Sequence, residues 1–192
     1  DTGAFHDELR RKMPVLRWTI FFFNPFLIGW TAFDYLLAPE YWPSFLALRL
    51  IGGVVSTIAA IVVSRPRFKR YTWEALWIIA FTYLLVIAPM LAVLEAENLS
   101  RYVLGYCIVI IGAGLFPVWP VRWLLSLLAA SLTVTGVIFV SSWDFPVVHL
   151  TDVITNSFVI LSLSGFSLVA AGFTYNLAGR DYLSRVQLAA VA

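Results

Sequence analysis

The chain has 192 residues and a formal net charge of +2, with 61% of its residues hydrophobic and only 12% charged. At a mean hydropathy of +0.87, a water-soluble globule would lack the polar surface to cover itself, so lipid must cover much of this chain. The lone Cys107 excludes a disulfide framework and a cysteine metal cluster, and the sequence shows no internal repeat, low-complexity segment or linker.

In chain order, residues 1–14 form a polar N-terminal segment. Phe5, Leu9, Met13 and Leu16 share one helical stripe while Glu8, Arg11 and Lys12 lie elsewhere, which predicts a short amphipathic helix on the cytoplasmic leaflet. The segment opens at Asp1 without an initiator methionine and is too polar to begin a signal peptide, so the chain is expected to be a trimmed piece.

Apolar runs of membrane-crossing length, about 17 to 25 residues, then follow one another. They are Val15 to Leu37, Phe45 to Val63, Trp73 to Leu94, Tyr102 to Val118, Trp123 to Val140 and Val153 to Leu177. The expected fold is therefore all-α and polytopic, a bundle of six transmembrane helices over residues 15–177. Trp42, Trp73, Trp119, Trp123 and Trp143 fall near run ends, where an indole anchors at the interface. Pro25, Pro89 and Pro117 are expected to kink the first, third and fourth spans. Ser157, Ser164, Gly165 and Gly172 give the sixth a small-residue stripe for close packing within the bundle or across a dimer.

Basic residues orient the bundle, because Lys and Arg in short loops stay cytoplasmic. Arg10, Arg11, Lys12, Arg17, Arg65, Arg67, Lys69, Arg70, Arg122, Arg180 and Arg185 all fall on one side. Glu40, Glu95, Glu97, Asp144 and Asp152 fall on the other, against the single base Arg101. An even number of spans then places both termini in the cytoplasm of a cell with an inner, plasma-membrane location for the bundle.

Within the spans, Asp34 lies near the outer end of the first and Arg49 near the outer end of the second, and the short loop between them makes these helices antiparallel neighbours. An ionised group inside a membrane turns inward and pairs. Two readings stay open: an ion pair that fixes helix packing, or the polar floor of an outward-opening pocket that recognises a carboxylate, hydroxyl or carbonyl. Trp42, Tyr106, His149 and Asn156 belong to the same leaflet and would complete such a pocket, although Tyr106 and Asn156 also suit interhelical hydrogen bonds. His6 and His149 fall on opposite sides of the membrane, so they cannot share a haem, and no cofactor or metal is expected. No nucleophile with a base, phosphate loop or catalytic carboxylate cluster is present, so this segment carries no catalytic constellation. The basic loop at residues 65–70 reads as a topology determinant, not a nucleic-acid site.

Residues 178–192 contain no proline and continue the sixth span as the start of a cytoplasmic signalling helix, with Leu183 and Val186 at heptad-like spacing. Arg180, Leu183 and Val186 are the expected signal-transmitting positions.

The stretch from Phe33 to Trp42 followed by Phe45 to Leu50 resembles the first hairpin of six-span bacterial sensor modules that precede histidine kinase or nucleotide cyclase domains, quorum-sensing receptor kinases among them. Arg180 to Arg185 similarly resembles their exit helix. The resemblance implies a homodimeric receptor for a small, apolar or amphipathic signal, with a kinase or cyclase beyond Ala192. The intact protein would then be the enzyme. It carries over no individual ligand residue. A small six-span transport or solute-binding subunit is the competing expectation, and a structural subunit that binds partners through its apolar faces is a third.

Overall fold

The computed structural model describes residues 2–93, 96–141 and 150–191. His149, Asp144, Trp143, Leu94 and Glu95 lie outside the described residues. The described residues are helical apart from short connections: α1 Thr2–Lys12, α2 Val15–Leu37, α3 Trp42–Ser64, α4 Thr72–Val93, α5 Ala96–Leu115, α6 Val121–Ser141 and α7 Leu150–Val191. Among the described residues five helices are long and apolar enough to cross a membrane, and Arg101–Leu115 is a shorter apolar one.

Prolines place several of the breaks. Pro25 has no N–H to close the turn before it, and α2 answers with a π-helical stretch, Thr19–Phe23, in which the Asn24 N–H reaches the Thr19 carbonyl five residues back. Pro66 excludes helical geometry at Arg65, whose ψ of 138° ends α3 and leads into the 3₁₀ turn Pro66–Tyr71. Pro89 lies inside α4. Pro117 was expected to kink a span reaching Val118; α5 instead stops at Leu115, because the residue before a proline is disfavoured in the helical region. The Phe116 N–H still closes on the Gly112 carbonyl at 3.0 Å.

The bundle is organised around α4, the most deeply buried of the candidate spans. It packs against α3, α5 and α6, while α2 packs on α3, and α7 on α5 and α6. Trp73, Ile79, Leu84, Met90, Tyr102, Ile110, Trp119, Leu124 and Leu127 form the interior. A close approach joins α5 to α7: a Cβ on Gly114 would stand 2.6 Å from the Ser167 carbonyl oxygen, and Ser167 Oγ donates to the Ile110 carbonyl at 2.7 Å. Of the expected small-residue stripe, Gly172 faces Val121 on α6 and Gly165 faces open space.

The apolar stripe of α1 is occupied by protein. Phe5 is buried between Tyr175 and Tyr182 and rests over Gly179, so the N-terminal helix lies across the exit of α7. His6 Nε2 is 2.5 Å from the Tyr175 hydroxyl, Arg185 pairs with Glu8 at 2.9 Å, Arg10 stacks over Trp73, and Thr72 Oγ1 donates to the Arg10 carbonyl. These contacts bring α1, the start of α4 and the exit of α7 to one end of the bundle.

Two predictions arise from this packing. Gly114→Ala forces the α5–α7 contact apart against backbone and should destabilise the chain by about 1–3 kcal/mol, read as a lowered thermal midpoint in detergent. Gly172→Ala, whose Cβ meets Val121 at an ordinary 3.6 Å, should leave the midpoint in place. The second concerns pH. Burial first, then the charges of Arg10 and Arg122, hold the His6 imidazole below its ordinary value of 6.5, against a smaller opposing pull from Asp7. Because undocked His6 binds protons more readily than docked His6, the contribution of this contact is complete above 6.5 and fades as pH falls through the depressed value. The protection factors of the α1 amides, which compare each exchange rate with the intrinsic rate at the same pH, should therefore fall in mild acid, and His6→Gln should flatten that dependence.

Candidate functional site

The first polar feature in the bundle is the pair expected at the outer ends of α2 and α3. The short turn from Ala38 to Tyr41 folds α3 back on α2, and the Ala38 carbonyl accepts from the N–H groups of Tyr41 and Trp42. This brings Asp34, which is 0% exposed, onto Arg49, which is 2% exposed. The contact is bidentate, Arg49 Nε to Asp34 Oδ2 at 2.7 Å and Nη2 to Oδ1 at 2.8 Å. Two parallel N–H donors matched to a carboxylate make the strongest ordinary ion-pair geometry. A third helix joins the pair, because the Tyr102 hydroxyl donates to Asp34 Oδ1 at 2.6 Å from the start of α5. Arg49 also reaches the Leu27 carbonyl at 3.4 Å and the Met90 sulfur at 3.5 Å, so one guanidinium ties α2, α3 and α4 together.

Below this cluster a cavity of about 230 Å³ runs between α2, α4 and α5. Phe22, Phe23, Phe26, Leu27 and Trp30 form its α2 wall, Leu76 to Ile87 its α4 wall, and Tyr102, Gly105, Ile108, Gly112 and Phe116 its α5 wall, with Arg49 and Trp119 also contributing. Arg49 is the single charged side chain among its lining residues. Trp30 lies across the gap to α5, 3.5 Å from where a Gly105 Cβ would stand, and Phe23 meets Phe116 edge-on. Trp119 is fully buried and its Nε1–H has no acceptor among the described residues.

A second polar set stiffens the α2 wall. Asn24 donates to Thr57 Oγ1 at 2.6 Å, while its Oδ1 lies 3.0 Å from Ser56 Oγ and 2.7 Å from the Tyr83 hydroxyl. Ser56 is fully buried and Tyr83 nearly so. The set links α2, α3 and α4 at the π-helical stretch and so holds the irregular backbone in place.

Of the residues named from sequence, Arg49 lines the cavity and Asp34 holds it there. Trp42 is half-buried, edge-on to Tyr35 at 5.8 Å. Tyr106 is fully buried and bonds Thr135 on α6 at 2.9 Å, an interhelical contact. Asn156 is half-buried on α7 with Nδ2 lacking a partner among the described residues, and His149 lies outside them. Trp42, Tyr106 and Asn156 are not among the cavity's lining residues. Arg180, Leu183 and Val186 are exposed on the exit of α7. Among the described residues no three metal-ligating side chains group together. Sequence reasoning passed over Tyr102, Asn24, Ser56 and Tyr83, although a polar group inside an apolar run was the available signal for each. The aromatic walls carried no such signal.

Breaking the buried pair from one side leaves a charge without its partner. Arg49→Ala or Asp34→Ala should each destabilise the chain by about 3–5 kcal/mol. The double variant should lose clearly less than the sum, since it strands no charge. Unfolding of the three variants in a common detergent measures the coupling, and additivity would refute it. Arg49→Lys should not restore the wild-type midpoint, because an ammonium cannot make the two parallel bonds.

A family model, MASE8, matches residues 32–189. No curated protein and no solved structure matches the chain. The match begins just before Asp34, includes Arg49, Tyr102 and the α5–α7 contact, and runs through the exit helix. With this geometry and several helices of membrane-crossing length, the chain is a multi-pass membrane protein that belongs to the MASE8 family of membrane-associated sensor domains.

Proposed function

We propose that the chain is a receptor input domain that binds a small, apolar or amphipathic signal in the α2–α4–α5 cavity and passes a shift of α5 through α7 to a cytoplasmic kinase or nucleotide cyclase. The observation that carries this reading is the double use of α5. One face, from Tyr102 to Ala113, walls the cavity; the other contacts α7 so closely that Gly114 has no room for a Cβ beside Ser167. Packed interfaces of that kind jump between discrete arrangements and do not deform smoothly. α7 is one helix of 42 residues, about 63 Å at 1.5 Å per residue, which exceeds a hydrocarbon core of roughly 30 Å. A rigid rod of that length carries a displacement at Ser167 to Arg180, Leu183 and Val186.

Six crossings with both termini in the cytoplasm suit this arrangement. The starts of α4 and α6 share one end of the bundle, since His6 touches Trp73 and feels the charge of Arg122. The start of α5 lies at the other end, where Tyr102 meets Asp34. α5 therefore returns across the bundle despite its short apolar stretch, aided by the non-helical residues after Leu115. The basic residues gather at the end of α1 and the α7 exit, the end expected in the cytoplasm of a bacterial inner membrane. A homodimer suits the open, apolar outer face of α7, where Phe158, Leu161, Phe166, Val169 and Phe173 are exposed.

Phase tests the rod. With the full chain fused to a diguanylate cyclase reporter, inserting residues one at a time after Gly179 rotates the exit helix by about 100° per residue. Reporter output should swing with each insertion and return at seven residues, two full turns. Output indifferent to insertion length would refute transmission through α7, and accumulation of a solute in sealed vesicles would favour the transport reading.

A further inference from the structure

The cavity's mouth does not open at the outer end of the bundle, where the ion pair and Tyr102 close it. Phe22, Phe26, Ile108 and Phe116 line it and are at the same time among the exposed apolar residues of the chain, with Phe22 68% and Phe116 58% exposed. These side chains flank the seam between α2 and α5. α2 packs on α3, and α5 on α4 and α7, so the seam is bridged mainly by rings, Trp30 beside Gly105 and Phe23 against Phe116. On helices that cross a membrane, an apolar opening in the outer wall faces acyl chains.

The charge inside is also settled by geometry. Arg49 is the only ionisable cation or anion among the lining residues, and its charge is matched by the bidentate Asp34. An anionic ligand would leave water for a site with no free countercharge. The guanidinium does retain a donor. Of its five hydrogens, the Asp34 oxygens take two, the Met90 sulfur one at 3.5 Å and the Leu27 carbonyl one at 3.4 Å, which leaves a fifth without an acceptor among the described residues. Tyr83 and Tyr102 have already given their hydroxyl protons to Asn24 and Asp34; Trp119 Nε1–H is the other lining donor without an acceptor among the described residues, and of the two the charged guanidinium is the stronger.

We infer that the ligand is a neutral, membrane-dissolved molecule carrying an oxygen acceptor, which enters sideways between α2 and α5 and sets that oxygen against Arg49. The inference rests on the proposed use of this cavity as the signal site and narrows it: a carboxylate is excluded, and a carbonyl, ether or hydroxyl oxygen is selected. The space, about 230 Å³, exceeds the roughly 150 Å³ that holds a benzene, so a two-ring probe is of suitable size.

Three probes of matched shape test this on the full chain in lipid nanodiscs, with partition into empty discs subtracted: 2-acetylnaphthalene, 2-isopropylnaphthalene and 2-naphthoate. The ketone should bind about tenfold more tightly than the hydrocarbon, as one buried hydrogen bond allows, and the naphthoate most weakly. The infrared stretch of a ¹³C-labelled ketone carbonyl should move to lower frequency on binding. Its association rate should follow its mole fraction in the bilayer when lipid is varied at fixed total probe. Gly105→Leu, which fills the cavity beside Trp30, should weaken the ketone at least tenfold, and the outward-facing Ile108→Trp should slow association should the first variant not fold. Equal binding of ketone and hydrocarbon with an unmoved carbonyl stretch would overturn the acceptor while leaving the cavity as the site. Tightest binding by naphthoate would overturn neutrality, and a rate set by aqueous concentration would overturn the sideways route. Absence of saturable binding by any probe, or binding indifferent to Gly105→Leu, would remove the cavity as the signal site and the inference with it.

Discussion

The Asp34–Arg49 pair sets the terms for the outer half of the bundle. Two ions fully withdrawn from water lose several kcal/mol of solvation each, which only close, well-directed partners offset. Here the carboxylate has three directed donors, and the guanidinium, carried by α3, gives hydrogens to α2 and α4. The result is a register device: α2, α3, α4 and α5 can slide only by breaking the pair's bonds. A hydrophobic cluster of equal volume would tolerate a slip of a residue or a rotation of a helix; a bidentate ion pair with a tyrosine donor does not.

That rigidity leaves a specific part of the bundle free to respond. The ion pair pins the outer end of α5 through Tyr102, and the Asn24, Ser56 and Tyr83 set pins α2 lower down. Between and beyond them α5 borders a cavity, not a packed wall, along the stretch that ends at Gly114. Filling empty space beside a helix fixed at one end rotates or tilts it about that end. On the proposed use of this cavity, displacement is then largest toward Gly114, which meets Ser167 of α7. The α1 helix completes the arrangement by holding the exit of α7 through Phe5, His6 and Glu8. A shift of α7 must therefore be carried by α1 or must loosen it, and the ionisable contacts there make that hold sensitive to pH and salt in a way the apolar bundle is not.

What the sequence disclosed follows from where polar atoms are rare. Asp34 and Arg49 stood out because ionised groups in apolar runs have few places to go, and the short loop between their helices left pairing as one of two readings; the structure shows the pair and places Arg49 on a cavity as well. The long exit helix was legible because nothing after Leu177 stops a helix. Other features were hidden for physical reasons. A phenylalanine facing lipid and one facing a cavity have the same composition and periodicity, so Phe22, Phe26 and Phe116 could not be told apart from ordinary span residues. Pro117 was read as a kink, whereas its effect on Phe116 ends the helix outright. The stripe of α1 suited lipid and protein equally, and only the aromatic groups Tyr175 and Tyr182, more than 160 positions away in the chain, decide for protein.

The polar network and the cavity are best understood as one device. A sensor for an apolar molecule has little directional chemistry with which to discriminate, because burial of apolar area is nearly indifferent to shape until packing is tight. Selectivity must come from rigid walls and from a small number of buried donors. The π-helical stretch before Pro25 turns successive phenylalanines of α2 toward α5, and the Asn24 set holds that irregular turn against relaxation. Arg49, neutralised and immobilised by Asp34, then offers an N–H whose position is fixed to the helices on both sides. A lone arginine at that place would attract any anion and draw in water; a leucine would recognise nothing. Pairing the arginine with a carboxylate removes the charge and keeps the donor, which is the combination that the proposed lipid-facing site requires.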